Sequence, residues 1–164
     1  MRVIVMKLTD VDLAKRACEF TLHRGALSTV NLKRLYASEH SPIRTQLYWI
    51  EMKNIPAFVS THLVRHKVGV EHFVQTHRVD RGAEELANRE TPVHHAMLIN
   101  AQALINMARK RLCANASPET RLLMETIKNQ VEPELAPYLV PDCDYRGGCY
   151  EFKCCGYKTK APSS

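Results

Sequence analysis

One short segment of the chain carries most of its candidate chemistry. Between Ile55 and Arg81 the sequence places histidines and cations close together, with apolar residues between them. The cations are Arg65, Lys67, Arg78 and Arg81, and the histidines are His62, His66, His72 and His77. The apolar spacing predicts a helix from Pro56 to His66, whose last turn suits positive charge because the helix dipole is negative there. We expect this cluster to bind anions, for which phosphate is the leading candidate. The alternative is a solvated basic surface.

A second group of polar side chains lies on a predicted long helix. Thr91-Pro92 is a helix start signal, and an apolar stripe continues the pattern to about Leu112. The polar residues on this helix are Asn100, Gln102, Asn106, Arg109 and Arg111. Asparagine is unfavourable inside a helix, so the two asparagines either form a polar contact between packed helices or bind a ligand. Arg111 either stabilises the C-terminal end of the helix or takes part in binding.

The other predicted elements position these two groups. The predicted strands are Arg2 to Leu8, Thr45 to Lys53 and an extended segment from Val70 to Val79; the other predicted helices are Val11 to Leu22, one that starts at Ser28 or Thr29, and Ser117 to Val131. Asp10 is the expected N-cap of the first helix and Ser117 that of the last. Gly25 ends the first helix, and Gly82 to Glu90 forms a loop or short helix over the site. The pattern predicts an α+β fold in which a small mixed or antiparallel sheet packs with several helices.

Composition limits the class of protein. The chain has 164 residues, a hydrophobic fraction of 45% and a formal net charge of +6. This length suits one domain with a real core, and the charge favours an anionic partner without separating a nucleotide from a nucleic acid. No apolar run is long enough for a signal peptide or a membrane span, so we expect a cytoplasmic protein.

The C-terminal residues 142–164 form a predicted Cys-rich tail after a domain that spans residues 1–141. Four of the six cysteines lie in this tail, namely Cys143, Cys149, Cys154 and Cys155. In a cytoplasmic protein, cysteines are reduced thiols or metal ligands rather than disulfides. A zinc site is one interpretation, but the spacing is not that of a standard zinc ribbon, and free buried or interfacial thiols are the other.

The basic segment and the Asn/Arg pattern together resemble the flavin-dependent thymidylate synthases. That family has an Arg-His-Arg triplet at a helix end, then seven residues, a serine, and an arginine two residues further on. Here Arg65-His66-Lys67 stands in the place of the triplet, Gln75 in that of the serine and His77 in that of the arginine. The family's second pattern, Asn-Ala-Arg-x-x-x-Asn-x-x-x-x-Arg, keeps its spacing in Asn100-Ala101-Gln102, Asn106 and Arg111. The resemblance extends from about residue 1 to residue 131.

The resemblance implies a reaction and its cofactors. In such enzymes NADPH reduces flavin adenine dinucleotide (FAD), and methylenetetrahydrofolate gives a one-carbon unit to C5 of dUMP. The flavin lies across a subunit interface, so the resemblance implies a homo-oligomer, expected to be a tetramer. Because flavin and folate carry the difficult steps, the protein supplies positioning and fixed positive charge.

The resemblance also assigns roles to residues by position. The cofactor-binding residues would be Thr45, Arg65, His66, Lys67, Asn100, Gln102 and Asn106. The substrate-binding residues would be His62, Arg65, Phe73, Val74, Gln75, Thr76, His77, Arg78, Arg89 and Arg111. Arg111 would also be catalytic, because its charge would favour the polarised uracil ring from which C5 attacks.

Departures from the family's pattern leave other functions open. Lysine at position 67 keeps charge but loses the bidentate fork of arginine, and the segment from Ser41 to Thr45 lacks the family's Glu-His pair. A relative acting on another pyrimidine nucleotide, adding another one-carbon group or lacking flavin would fit these changes. A non-catalytic module that binds nucleotides, or that grips RNA or DNA with the basic segment and tail, is the rival hypothesis. We do not expect nucleic acid, because the aromatic fraction is only 7% and stacking requires exposed aromatic side chains.

Overall fold

Four antiparallel strands in the order β1-β2-β4-β3 form the sheet of this protein in a computed structural model, which describes residues 1–22, 29–83 and 88–161. The strands are β1 (Arg2–Lys7), β2 (Leu47–Pro56), β3 (Val70–Val74) and β4 (Pro92–Asn100). The helices are α1 (Val11–Phe20), α2 (Leu32–Ser38), α3 (Ala57–Leu63), α4 (Ala101–Arg111), α5 (Pro118–Lys128) and α6 (Asp142–Arg146). Short 3-10 segments lie at Ser41–Thr45, Val79–Arg81 and Ala136–Tyr138. The α+β fold with a small antiparallel sheet confirms the prediction.

Strand β2 shows why the sheet has one buried face. Tyr48, Ile50 and Met52 are fully buried, whereas Leu47, Trp49 and Glu51 on the other face are partly exposed. This alternation is the one that the sequence predicts, because successive side chains in a strand point to opposite faces. The pairing with β4 shifts register between Met52 and Ile55, where Asn54 has a positive φ of 56°.

The prediction of one helix from Thr91 to Leu112 is wrong in its first half. Residues Pro92–Asn100 form β4, which pairs with β2 on one side and β3 on the other. Its buried residues, Val93, His95, Met97 and Ile99, alternate with more exposed ones, as in a strand. The helix begins only at Ala101, after Asn100 accepts a hydrogen bond from the Ala103 N–H at 2.9 Å.

The remaining helices lie where the sequence predicts helices, with corrected bounds. Asp10 caps α1 and Ser117 caps α5, as predicted, but α5 ends at Lys128 rather than at Val131. Helix α2 starts after Asn31, later than the predicted Thr29. Helix α3 ends at Leu63, so the basic triplet follows the helix instead of forming its last turn. Gly25, Ser28 and residues 84–87 of the predicted loop lie outside the described residues.

Helices α3, α4 and α5 cover the buried face of the sheet and form one core with it. The core joins residues such as Ile50 and Met97 of the sheet to Leu63 of α3, Leu104 of α4 and Leu123 of α5. Helix α6 of the Cys-rich tail packs against α4. Within the described ranges, no helix has the length and apolar composition that crossing a membrane requires.

Candidate functional site

Arg111, the last residue of α4, joins α4 to the basic segment after α3. Its Nη2 donates to the His62 carbonyl at 2.6 Å, and its Nε donates to His66 Nε2 at 3.1 Å. Burial, with a smaller contribution from the nearby Arg65 cation, lowers the pKa of Arg111 from its usual value. Among the described residues, no carboxylate forms an ion pair with Arg111. A half-buried guanidinium without an anion is a suitable partner for an anionic or carbonyl-bearing ligand.

His66 is a neutral hydrogen-bond acceptor rather than a cation. A guanidinium can only donate, so Nε2 of His66 must carry a lone pair. Burial, followed by the charge of Arg111 and the proximity of His72, lowers the pKa of His66 to about 4. His66 therefore adds no positive charge to the triplet at neutral pH. Its ring instead orients the guanidinium of Arg111.

Three arginines converge on His62. Its Nδ1 shares a hydrogen bond of 3.1 Å with Thr120 Oγ1, and the ring of Phe58 lies edge-on to it at 5.6 Å between centroids. Burial lowers the pKa of His62, and the charges of Arg111, Arg65 and Arg89 lower it further, in that order. The guanidinium of Arg89 also lies over the Phe58 ring, 4.7 Å from its centroid. The structure thus brings together cations that come from three separate parts of the sequence.

Arg65 and Lys67 complete this positive surface. Both are exposed, and neither has a carboxylate partner in an ion pair within the described part of the chain. They follow the C-terminal end of α3, whose dipole favours cations. Exposed cations without anionic partners are available to a phosphate group, so the surface around Arg65, Lys67 and Arg111 is the candidate anion site. Arg89 borders this surface, but its Nε already forms an exposed ion pair with Glu90 at 3.6 Å.

The predicted substrate residues on β3 line a separate groove. Phe73, Val74 and Gln75, with residues 51–53 of β2 and 94–96 of β4, line a groove of about 640 Å³. The Phe73 ring packs against Trp49 on the uncovered face of the sheet, with centroids 5.4 Å apart. Gln75 continues the pairing of β3, because its N–H donates to the His94 carbonyl at 2.8 Å and its Oε1 accepts from the His94 N–H at 3.1 Å. Arg111 does not line this groove.

The residues after β3 are held by their own neighbours. Arg78 donates to Asp80 through Nε at 2.9 Å and Nη2 at 2.6 Å, so its charge is already paired. Thr76 Oγ1 accepts from the Arg78 N–H at 3.2 Å. Nε2 of His77 is buried without a hydrogen-bond partner within the part of the chain described here. Of these three predicted substrate residues, only His77 has a buried polar atom left free.

The predicted flavin-binding amides lie on the other side of α4. Gln102 Nε2 donates to Glu39 Oε2 at 2.6 Å, Arg109 forms an ion pair with Glu39, and Asn106 Oδ1 accepts from Arg109 Nη1 at 3.2 Å. Burial alone would raise the pKa of Glu39, but the hydrogen bonds from Arg109 and Gln102 outweigh it and lower the pKa. Since successive helix residues turn by about 100°, Gln102 and Asn106 share one side of α4 and Arg111 lies on the opposite side.

Asn100 and Thr45 have structural partners within the chain. Asn100 caps α4, and its N–H donates to the Gly69 carbonyl at 3.0 Å. Thr45 Oγ1 donates to the Pro42 carbonyl at 2.8 Å within the 3-10 segment. The side chain of the next residue, Gln46, is fully buried, and the backbone carbonyl of Gln46 accepts from the Ala101 N–H at 2.9 Å. Both residues therefore lie near the N-terminal end of α4, whereas Arg111 is at its C-terminal end.

The thiols of the tail differ in their surroundings. Cys143 and Cys149 are buried, whereas Cys155 is exposed. The sulfur of Cys154 accepts from the Gly156 N–H and donates to the Lys158 carbonyl, each at 3.4 Å. Across the described ranges, no three His, Cys, Asp or Glu residues are grouped so that they could hold a metal ion. The geometry therefore gives the zinc interpretation no support.

Three residues near the site were not assigned to it from the sequence. Phe58 and Thr120 contact His62, and His95 contacts His72. The i, i+4 spacing of Phe58 and His62 on α3 was the one local signal. The other contacts join residues that are far apart in the sequence, and only the fold reveals them.

Comparison with solved structures identifies the fold. No protein-family model matches the sequence, and no curated protein is significantly similar to it. Two structures of thymidylate synthase ThyX from Helicobacter pylori, both with FAD and dUMP, superpose with TM-scores of 0.69 and 0.68 at 16% identity, over 87% of this chain and 99% of theirs. The UMP/dUMP methylase PolB from Streptomyces cacaoi, bound with 5-Br dUMP, superposes with a TM-score of 0.62 at 14% identity, over 84% of this chain and 94% of its own. The chain therefore has the fold of the flavin-dependent thymidylate synthases, which is the fold that its two sequence motifs predict.

Proposed function

We propose that this protein is an enzyme that transfers a one-carbon unit to C5 of dUMP or a related uridine nucleotide. The observation that carries the proposal is the position of Arg111. Its guanidinium is half-buried, has no carboxylate partner among the described residues, and lies in the electrostatic range of Arg65 and Arg89 around His62. The fold adds support, since similar structures hold dUMP or 5-Br dUMP.

In this proposal different cations contact the phosphate and the base of the nucleotide. Arg65, Lys67 and Arg89 bind the phosphate, because they are exposed cations that can form charge-assisted hydrogen bonds. Arg111 donates to a carbonyl oxygen of the uracil. A fixed positive charge there stabilises negative charge on the ring as C5 becomes nucleophilic, and the partial burial of Arg111 strengthens this effect. His62 and His66 keep the guanidinium in place through the two hydrogen bonds described above.

The residues present are compatible with FAD as the cofactor. The diphosphate of the dinucleotide would bind beside the substrate phosphate and share the exposed Arg65 and Lys67 with it, and Gln102 and Asn106 provide polar groups on the far side of α4. When bound, the flavin supplies the reducing equivalents, with NADPH and methylenetetrahydrofolate as co-substrates. The Gln102 amide already donates to Glu39. A flavin that binds at this surface must therefore either displace Glu39 or contact other atoms of Gln102.

The division of the predicted residues between two sides of α4 favours an oligomer. Arg65 lies near Arg111, on the side of α4 opposite to Gln102, so a flavin that contacts both sides of one chain must pass around the helix. Two chains packed together can offer one side each. We therefore propose a homo-oligomer, with a tetramer as the expected form.

The test is ligand binding by the purified protein. Native mass spectrometry and absorption spectroscopy would detect bound flavin, and calorimetric titration with dUMP and UMP would measure nucleotide affinity. Arg111→Ala should weaken dUMP binding by at least about tenfold, the equivalent of one lost charge-assisted hydrogen bond. Arg16→Ala is the matched control, since it removes an equally charged, exposed side chain on α1.

Two results would contradict the proposal. One is equal dUMP affinity in wild type and Arg111→Ala. The other is a colourless protein that ignores nucleotides but binds oligonucleotides with steep salt dependence, which is the behaviour of a nucleic-acid-binding module.

A further inference from the structure

Two buried side chains and a partly exposed histidine, His72, which also lines the groove beside β3, form a hydrogen-bonded chain that the proposed reaction does not use. Ser60 Oγ lies 3.0 Å from His95 Nδ1, His95 Nε2 lies 2.9 Å from His72 Nδ1, and His72 Nε2 lies 2.8 Å from the His66 carbonyl oxygen. The exposed fractions of Ser60 and His95 are only 4% and 2%. The chain crosses from α3 through β4 to β3 and then to the segment that carries the basic triplet.

The proton positions in this chain follow from its last acceptor. A carbonyl can only accept, so His72 Nε2 must donate to the His66 oxygen, and a neutral His72 then has a lone pair on Nδ1. His95 donates to that lone pair through Nε2, and its own Nδ1 accepts from the Ser60 hydroxyl. Burial, followed by the proximity of His72, lowers the pKa of His95 to about 4, which keeps it neutral as this arrangement requires.

Two other roles for these residues do not fit the geometry. A serine beside two histidines suggests a nucleophile, but the hydroxyl of Ser60 is almost fully buried and cannot meet a substrate. A proton relay towards Arg111 fails as well, because the chain ends on the His66 carbonyl and a carbonyl has no proton to pass on. The role that fits the geometry is to hold the backbone of His66 in place.

The hydrogen-bonded chain holds one side of His66 while Arg111 holds the other. The His66 carbonyl accepts from His72 on β3, and Nε2 of the same residue accepts from Arg111 at the end of α4. The neighbours of His66 in the sequence are Arg65 and Lys67, the two exposed cations of the candidate anion site. A shift of the His66 backbone would therefore move both cations and the acceptor of Arg111 together.

We propose that His72, held by His95 and Ser60, is a positioning residue that fixes His66 and thereby sets Arg65 and Arg111 at the geometry for binding a nucleotide phosphate and base. This inference rests on the proposed function for its ligand, but its structural part concerns only the chain itself. A positional error of about 1 Å in such a site can lower the rate by about 100-fold. Hydrogen bonds that fix the His66 backbone therefore matter for function.

The experiment compares variants that keep or lose the two hydrogen bonds of His72. In His72→Gln the amide nitrogen can reach the His66 carbonyl and the amide oxygen can accept from His95, so this variant should bind dUMP within about threefold of wild type. In His72→Leu both bonds are lost, and dUMP binding should weaken by at least about tenfold. His72→Asn, whose shorter amide cannot reach the carbonyl, should behave like the leucine variant. His40→Leu controls for the loss of a histidine elsewhere.

A second measurement separates positioning from general stability. Nitrogen-15 NMR of the imidazole rings reports the tautomer of His66, which carries its proton on Nδ1 in the wild type because Nε2 accepts from Arg111. His72→Gln should keep this single tautomer, and His72→Leu and His72→Asn should show a mixture even where the thermal midpoint remains native-like.

The outcomes decide between the inference and the proposed function. If the leucine and asparagine variants keep both the His66 tautomer and the wild-type affinity, or if glutamine is no better than leucine, the positioning role is wrong. If the wild type binds no uridine nucleotide but the tautomer responds as expected, the positioning role stands and the proposed function fails.

Discussion

At the scale of single residues, Arg111 and its two histidine partners decide how the site works. The guanidinium donates to the His62 carbonyl and to the His66 ring, which leaves its remaining N–H groups for a ligand. Both motifs of the sequence are needed for this contact, since His66 belongs to the first and Arg111 to the second. The sequence predicts the residue types, but only the fold shows that one motif orients the other.

Substitution of Arg111 by lysine tests this dependence. The variant Arg111→Lys keeps the charge but cannot make two directed hydrogen bonds and still present a planar fork to the uracil. We expect kcat/KM for dUMP to fall by about 10- to 100-fold in Arg111→Lys and further in Arg111→Ala. The free energy of unfolding should change by only about 1–2 kcal/mol in either variant, because one exposed edge of the site and not the core is altered. Steady-state kinetics with urea denaturation measures both quantities, and wild-type kcat/KM in Arg111→Lys would contradict the assigned role.

The lowered pKa values of His66 and His95 predict a loss of stability in acid. Each folded-state pKa is about 4, whereas the ordinary value is 6.5. Between these two pH values the unfolded chain binds protons that the folded chain does not, so stability falls as the pH is lowered. For the almost fully buried His95 the loss is at most on the order of 3 kcal/mol. Urea denaturation from pH 7 to pH 4 measures the slope, which His95→Gln should reduce and His40→Gln should leave unchanged. A pH-independent free energy of unfolding in this range would show that these rings are not neutral in the folded state.

At the scale of elements, the junction between β4 and α4 explains the largest error of the sequence-based prediction. The segment from Pro92 to Asn100 contains Met, Leu and Ala, which favour helices, and Val93 and Met97 have a helical spacing. It forms a strand because β2 and β3 pair with it on both sides, and such long-range pairing is invisible in a local pattern. In contrast, α1 and α5 were predicted from their capping residues, because a cap is a local interaction.

Gly69 gives this junction a second constraint, which a pair of substitutions can test. Its φ is +73°, and a Cβ at this position would lie 2.4 Å from Asn100 Nδ2. Gly82 also has a positive φ, of +88°, but nothing lies within 4 Å of its Cβ position. We expect Gly82→Ala to cost about 1 kcal/mol for backbone strain alone and Gly69→Ala about 1–2 kcal/mol more, because the clash displaces the cap of α4.

The same clash can be isolated by a double-mutant cycle. Asn100→Ala alone should cost about 1 kcal/mol for the lost cap. In that background Gly69→Ala should cost less than it does in the wild type, because the atom it strikes is gone. Chemical denaturation of the four proteins measures the coupling, and purely additive costs would mean that Gly69 and Asn100 do not interact.

At the scale of the whole molecule, α4 separates the predicted binding residues into two surfaces. One surface carries Arg65 and Arg111 around His62, and the other carries Gln102 and Asn106 around Glu39. The sequence motifs imply a single site for all of these residues, because the spacing of a motif does not show in which direction each side chain points. A helix with binding residues on both sides suits an assembly in which each chain contributes to two sites. The fold of one chain was therefore easier to predict than its site.

Complementation between two inactive variants tests that assembly. If each site combines Arg111 of one chain with Gln102 of another, then Arg111→Ala and Gln102→Ala chains are each inactive alone. A mixed oligomer would contain one site with both defects and another with neither, because the two substitutions lie on opposite sides of α4. We expect co-expression of the two variants to restore measurable turnover of dUMP, and size-exclusion chromatography with light scattering to show a multimer. A matched mixture of Arg111→Ala with Arg65→Ala should restore nothing, since both of those residues serve the same surface of one chain. Recovery in that control would mean that Arg65 and Arg111 of one site come from different chains, and a monomer that turns over dUMP would place the complete site within a single chain. Either result would contradict this assembly.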